Sequence, residues 1–147
     1  MPTTEALLAA ALPSDDYLAG LFDGEGCIIL TKQVVGGKQP QYNIAVRVGI
    51  AYRPTVDAFH TRFGGGVHVQ RPGTGGHKTI WCWEVSGRAA VTFLDEMRSR
   101  LHEKAEQAWL ALEFWAARTV DMTARTSPEE LALREGFRLA LQAAKRG

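Results

Sequence analysis

Residues 17–26, YLAGLFDGEG, hold the chain's most pointed chemistry. An apolar stretch with small residues inside it, Leu18, Ala19, Gly20, Leu21 and Phe22, runs straight into Asp23, Gly24, Glu25 and Gly26. The glycines predict a helix that stops here, because glycine readily takes the left-handed turn that ends helices. That end carries the negative pole of the helix dipole, where cations are favoured and carboxylates are not. Asp23 and Glu25 therefore stand where a bare helix should least want them. Other chemistries are poorly supplied. Cys27 and Cys82 fit no C-x-x-C pattern, and His60, His68, His77 and His102 are scattered, so no zinc site is expected and free thiols suit a reducing cytoplasm.

The chain has 147 residues, 46% of them hydrophobic, enough for one ordinary domain with a core. No run of about 18 apolar residues occurs, so neither a transmembrane helix nor a membrane partner is expected. The N-terminal residues have a short apolar patch with no basic residue before it, and read as a lead-in rather than a signal peptide. The net charge of +1 argues against a uniformly basic nucleic-acid binder, but the charge is unevenly spread. Residues 1–26 carry −5, whereas residues 27–88 carry +6. A basic middle between acidic flanks suits a salt-bridged surface as well as a polyanionic ligand.

The elements that must position the acids follow from the pattern. Ser14, Asp15 and Asp16 offer N-cap chemistry for a helix through Tyr17, Leu18, Leu21 and Phe22. Residues 27–35 predict a strand, residues 36–40 a hairpin connection, and residues 42–48 a return strand with Ile44, Val46 and Val48 on one face. Pro54 opens a second helix striped with Val56, Phe59 and Phe63. Strands at 67–70 and 79–85 follow, the latter with Trp81, Trp83 and Val85 facing the core. Ser86 is placed to cap a helix through Val91, Leu94 and Leu101, and a further helix holds Ala105, Ala108, Leu112 and Trp115. Ser127 and Pro128 open a last amphipathic helix. The order αββαββααα predicts an α+β fold: four antiparallel strands, helices on one face, the other face open. That open face would show Thr31, Gln33, Asn43, Arg47, His68 and Gln70, a polar, partly basic ribbon suited to a major groove.

Residues 18–26 resemble the signature of the LAGLIDADG homing endonucleases, with small residues second and third, acids sixth and eighth, and glycine last. Leu101, Lys104 and Gln107 are similar to that family's pattern at the start of its late helix. The likeness covers residues 15–118. It leaves 1–14 as a lead-in and 119–147 as a linker and C-terminal amphipathic helix. It implies the αββαββα fold with a four-stranded saddle sheet, and motif helices of two half-domains packed side by side. Leu18, Ala19, Gly20, Phe22 and Asp23 would then lie at a dimer interface. Each helix would deliver its eighth-position acid, here Glu25, to the bottom of that interface, with the Gly24 carbonyl as a weaker ligand.

Two such carboxylates repel unless a divalent cation intervenes, which implies Mg²⁺, with Mn²⁺ as a substitute. Asp23 matches an acid that is mainly structural, and Lys104 matches a lysine near the scissile phosphate. The implied activity is metal-assisted hydrolysis of both strands of double-stranded DNA within the host cell's cytoplasm. One motif per chain implies a homodimer and a pseudo-palindromic target. Arg47, Arg71 and Lys78 would join the open-face residues in contacting DNA, with Arg47 and Arg71 suited to guanine or phosphate and Asn43 and Gln70 to adenine. The chain departs from the pattern in two places: Glu25 replaces aspartate, and apolar Ile50 stands near a position where some members carry a glutamine, with Tyr52 and Arg53 nearby. A non-catalytic DNA-binding regulator and an RNA maturase are the alternative readings of the same scaffold.

Overall fold

A computed structural model describes residues 1–5, 12–119 and 125–147 of the chain. Part of the expected lead-in, 6–11, and of the expected linker, 120–124, lies outside the described residues. The expected order holds: α1 (Asp15–Glu25), β1 (Gly26–Gln33), β2 (Gln41–Ile50), α2 (Arg53–Phe63), β3 (Gly66–Arg71), β4 (Ile80–Ser86), α3 (Arg88–Met97), α4 (Ala105–Ala117) and α5 (Pro128–Arg146). Ser14 caps α1 by accepting the Tyr17 N–H at 3.1 Å, and Asp15 and Asp16 sit at its positive pole.

Some boundaries differ, each for a local reason. Gly26 does not close α1 with a left-handed turn; its φ of −82° and ψ of 175° lead directly into β1. Glycine is needed there for space, since a Cβ at residue 26 would collide with the Phe22 ring and its carbonyl oxygen. β1 ends at Gln33, leaving Val34 and Val35 exposed. Ser86 is the last residue of β4, not a helix cap; Gly87, at φ 62°, makes the turn into α3. That helix stops at Met97, a short 3-10 turn covers Arg98–Arg100, and Leu101 enters the core in an extended conformation. In α4 the buried stripe is Ala108, Ala111 and Phe114, with Leu112 and Trp115 at its margin.

The sheet order is β1-β2-β4-β3, antiparallel throughout. Its helix-facing side buries Ile28, Leu30, Ile44, Val46, Val48, Trp83 and Val85 against Leu18, Phe22, Val56, Phe59, Phe93 and Leu94. Aromatic rings knit this layer: Phe59 stacks on Trp83 at 4.9 Å, and Phe93 meets Phe22 at 4.8 Å and Trp83 at 5.2 Å. The Trp83 indole N–H donates to the Gly64 carbonyl at 2.8 Å, so the one polar atom of that buried ring is satisfied. Trp81 lies at the core's edge under the Arg53 guanidinium, 4.2 Å from the ring centre. Arg62 spans Asp15 and Glu96, and Arg100 reaches Asp16 at 2.7 Å, so α1 is tied across the helical layer.

Helix α5 docks on α4 and β1, burying Leu141 and bringing Phe137 to 6.1 Å from Phe114. A charged cluster fastens it to the sheet: the Tyr42 hydroxyl donates to Glu135 at 2.6 Å, and Lys32 approaches the same carboxylate at 3.3 Å. Hydrogen bonds from Arg138 and then Tyr42 hold the Glu135 carboxyl at about 2, and burial with the Glu135 bond pushes the Tyr42 phenol up to about 12. The depressed carboxyl contributes stability above its ordinary 4.5, lost as pH falls towards 2. The raised phenol contributes below its ordinary 10.0, lost as pH rises through 12. Tyr42→Phe is expected to cost about 1 kcal/mol near neutral pH and to remove the alkaline decline, as read from denaturant unfolding across a pH series.

Candidate active site and nucleic-acid interface

The end of α1 and the start of α4 meet through one acid and one lysine. The Asp23 carboxylate accepts backbone N–H bonds from His102 at 3.1 Å, Glu103 at 3.0 Å and Lys104 at 2.9 Å. These donors lead into the N-terminus of α4, whose first N–H groups lack helical partners. Burial alone would raise the Asp23 pKa, but the three N–H donors and the Lys104 charge outweigh it and hold the carboxyl below its ordinary value. In return the Lys104 ammonium donates to the Asp23 carbonyl at 2.7 Å, putting a cation on the negative pole of α1. The Asp23 carboxylate is thus occupied in joining the end of α1 to the start of α4.

Glu25 differs from Asp23 in every respect that matters. It is exposed in the last turn of α1 and has no hydrogen-bond or ion-pair partner among the described residues. The Gly24 carbonyl beside it is one of the last four of the helix, which have no acceptor role within it. A free carboxylate and a free carbonyl at a helix's negative end form a set of hard oxygens suited to a small divalent cation. Ile50 is half-buried and paired in register with Trp81. Arg53 is engaged with both Trp81 and Asp57, which leaves Tyr52 as the freely exposed side chain near that strand end.

The interface residues implied for α1 need correction. Leu18, Ala19 and Phe22 are 1%, 0% and 0% exposed, enclosed in the core of the single chain and turned away from any partner. The outward face carries Tyr17, Gly20, Leu21 and Gly24, at the 3- and 4-residue spacing of one helix side. A Cβ added at Gly20 or Gly24 would meet nothing within 4 Å among the described residues, so packing within them does not require these glycines. Asp23 is partly buried against α4 rather than free for a partner.

The open sheet face gathers the polar residues expected of it. Thr31 lies opposite Asn43, Arg47 opposite Glu84, and His68 opposite Cys82. Gln33 continues β1 beyond Thr31, and exposed Lys78 lies in the connection before β4. A register shift between Val69 and Arg71 places Gln70 at an irregularity, and its carboxamide extends to where a Cβ of Gly49 would be. Arg71 faces Ile80. Asn43 already accepts the Ile44 N–H at 2.9 Å, which weakens it as a two-bond reader of adenine. Towards the β1–β2 hairpin the face deepens into a groove of about 790 Å³ lined by Thr31, Gln33, Lys38, Asn43 and Arg125 among others.

Two members of this face were absent from the expected set. Glu84 pairs with Arg47 at 3.5 Å, and Cys82 sits buried between β2 and β3, where burial and then the Glu84 charge push its thiol pKa up. The alternation of Cys82 and Glu84 on β4 placed them on this side, but only the strand pairing brings His68 beside them.

No protein-family model and no curated protein matches the chain. Solved structures do. The homing endonuclease I-CvuI, in complex with a DNA target in the presence of 2 mM Mg with the DNA not cleaved, gives a TM-score of 0.74 at 19% identity, covering 90% of this chain and 82% of that one. The archaeal intron-encoded homing endonuclease I-Vdi141I, complexed with DNA, gives 0.66 at 14% identity over 88% of this chain and 82% of its own. The LAGLIDADG homing endonuclease I-GzeII, in complex with its DNA target, gives 0.61 at 11% identity over 88% of this chain and 44% of its own.

Asp23→Asn keeps the shape of the helix junction and removes its charge. It is expected to destabilise the chain by about 1–2 kcal/mol near neutral pH, a value already moderated by partial solvent screening. Because the native carboxyl is depressed, its contribution stands above the ordinary 3.8 and is lost as pH falls through the folded value. Unfolding curves of the two proteins should therefore converge in acid.

Proposed function

We propose that this chain, which has the fold of the LAGLIDADG homing endonucleases, is a site-specific double-strand DNA endonuclease that works as a homodimer. The observation that carries this reading is Glu25, an exposed carboxylate with no partner among the described residues, at a helix end whose other acid is already consumed by backbone N–H groups. Glu25 would hold Mg²⁺, with the Gly24 carbonyl as second ligand and Mn²⁺ able to substitute. Such an ion supplies an activated water and stabilises the leaving oxygen of a phosphodiester.

The chain's own groups then divide the remaining work. Lys104, anchored by one bond to the Asp23 carbonyl, keeps two ammonium protons to offer negative charge developing on a phosphate. The strip of Tyr17, Gly20, Leu21 and Gly24 lets a second α1 approach closely, which brings two Glu25 carboxylates together. Their mutual repulsion makes the paired site depend on the cation. Arg47, Arg71 and Lys78 supply positive charge to phosphates or guanine edges, and Thr31, Gln33, Asn43, His68 and Gln70 supply polar contacts in a groove. The two-fold axis of such a dimer selects a pseudo-palindromic target.

The decisive experiment exposes the purified chain to a randomised double-stranded DNA library with and without Mg²⁺. Metal-dependent double-strand cuts at one pseudo-palindromic site are expected; selective binding with no cutting in Mg²⁺ or Mn²⁺ would make the protein a non-catalytic DNA binder. Glu25→Gln is expected to abolish cleavage while leaving DNA affinity intact, and cutting at the wild-type rate would remove Glu25 from the metal site. Gly20→Leu should leave the monomer's unfolding free energy within about 0.5 kcal/mol of wild type while shifting the dimer to monomer in sedimentation.

A further inference from the structure

The four histidines and two cysteines show no ligand spacing along the sequence, yet the sheet assembles one. Pairing of β3 with β4 sets His68 opposite Cys82, and Glu84 follows two residues on along the same face of β4. The His68 ring nitrogen, the Cys82 sulfur and a Glu84 oxygen all lie within 4.8 Å of one another. We propose that His68, Cys82 and Glu84 form a binding site for a transition-metal cation of the Zn²⁺ class on the open face of the sheet.

The donor set decides the class. Imidazole, thiolate and carboxylate suit Zn²⁺ or Co²⁺, whereas Mg²⁺ and Ca²⁺ prefer oxygen alone. In a tetrahedral site with bonds of about 2.0–2.3 Å, neighbouring ligand atoms stand about 3.3–3.8 Å apart. The cluster therefore closes by about 1 Å, a movement within the reach of a rotamer change at exposed His68. Cys82 and Glu84 are fixed more firmly, since β4 is flanked by β2 and β3. The Cys82 thiol donates a weak hydrogen bond to the Trp83 carbonyl at 3.5 Å, and Glu84 holds Arg47 through one oxygen at 3.5 Å, leaving its second oxygen for a metal.

The charges balance. A divalent ion binds as Cys82 loses its thiol proton to solvent, so the site gains one positive charge in net terms. The Cys82 thiolate and the Glu84 carboxylate together match the ion's charge, and Arg47 remains beside them. Three protein ligands leave a fourth position open to water. The site shares no residue with Glu25 and Gly24, and its test does not depend on DNA.

The test is a titration of the metal-free full-length chain with Co²⁺ and then Zn²⁺, followed by absorption spectroscopy and calorimetry. One Co²⁺ per chain is expected, with a thiolate-to-cobalt charge-transfer band that Zn²⁺ displaces. His68→Ala and Glu84→Gln should each weaken binding by about tenfold or more, with folding verified by circular dichroism. Cys82→Ser should remove the band, while Cys27→Ser and Glu25→Gln should leave it. Absence of the band, unchanged affinity in His68→Ala, or loss of the band in Cys27→Ser would overturn the proposal. Cys82 is buried and its substitution can unfold the chain; His68→Ala, at an exposed position, tests the site whether or not the Cys82 variant folds.

Discussion

Two helix ends of opposite polarity meet where α1 stops and α4 begins, and each provides the charge the other requires. The Asp23 carboxylate belongs to the negative end of α1 but faces N–H groups at the positive end of α4. The Lys104 ammonium belongs to the start of α4 but faces a carbonyl at the end of α1. An acid that is awkward within its own helix becomes favourable once the second helix is docked. The arrangement fixes α1 against the helical layer, turns Leu18 and Phe22 to the sheet, and leaves Glu25 as the one acid of α1 without a partner among the described residues.

Much of this was legible in the chain because strand periodicity is strict. Ile44, Val46, Val48, Trp83 and Val85 declared the core side of the sheet, and Thr31, Asn43, Arg47 and His68 fell on the other as expected. The end of α1 was legible in its acids but not in its geometry. Gly26 reads as a turn residue, whereas its real constraint is the Phe22 ring, a contact between a strand start and a helix side chain. The outward face of α1 was misassigned because a motif gives positions, not orientation. The hydrophobic effect settles the orientation: Leu18 and Phe22 enter the core, so the glycines are left outside. The His68, Cys82 and Glu84 cluster was invisible for a different reason, since it depends on a pairing register that includes an irregularity at Gln70.

Net charge is a poor guide to the surface that meets a ligand. Much of the acidity near α1 is spent on arginines of the helical layer, where Asp15 and Glu96 take Arg62 and Asp16 takes Arg100. Glu135 is held similarly by Lys32, Tyr42 and Arg138. These pairs are each modest in energy, but they gather carboxylates on the helix-bearing side. On the open face Arg47 answers Glu84, while Arg71 and Lys78 are exposed there or in the adjoining connection. A chain of nearly zero net charge can thereby present one side of positive character.

The alternation that separates core from open face along β2 and β4 also limits how the chain can change in length. Core and recognition residues are interleaved at a spacing of one, so a single insertion or deletion within either strand exchanges the two sets for the rest of its length. Ile44, Val46 and Val48 would go to solvent as Asn43, Ala45 and Arg47 went inward, and the aromatic layer around Trp83 would lose its facing surface. Added or lost residues leave the strand pairing intact in the connections 34–40 and 72–79, which lie outside the ladders. The first connection adjoins the strand that carries Thr31 and Gln33, and the second follows Arg71 and itself holds Lys78, so lengthening them would extend the reach of the open face without disturbing the layer beneath it.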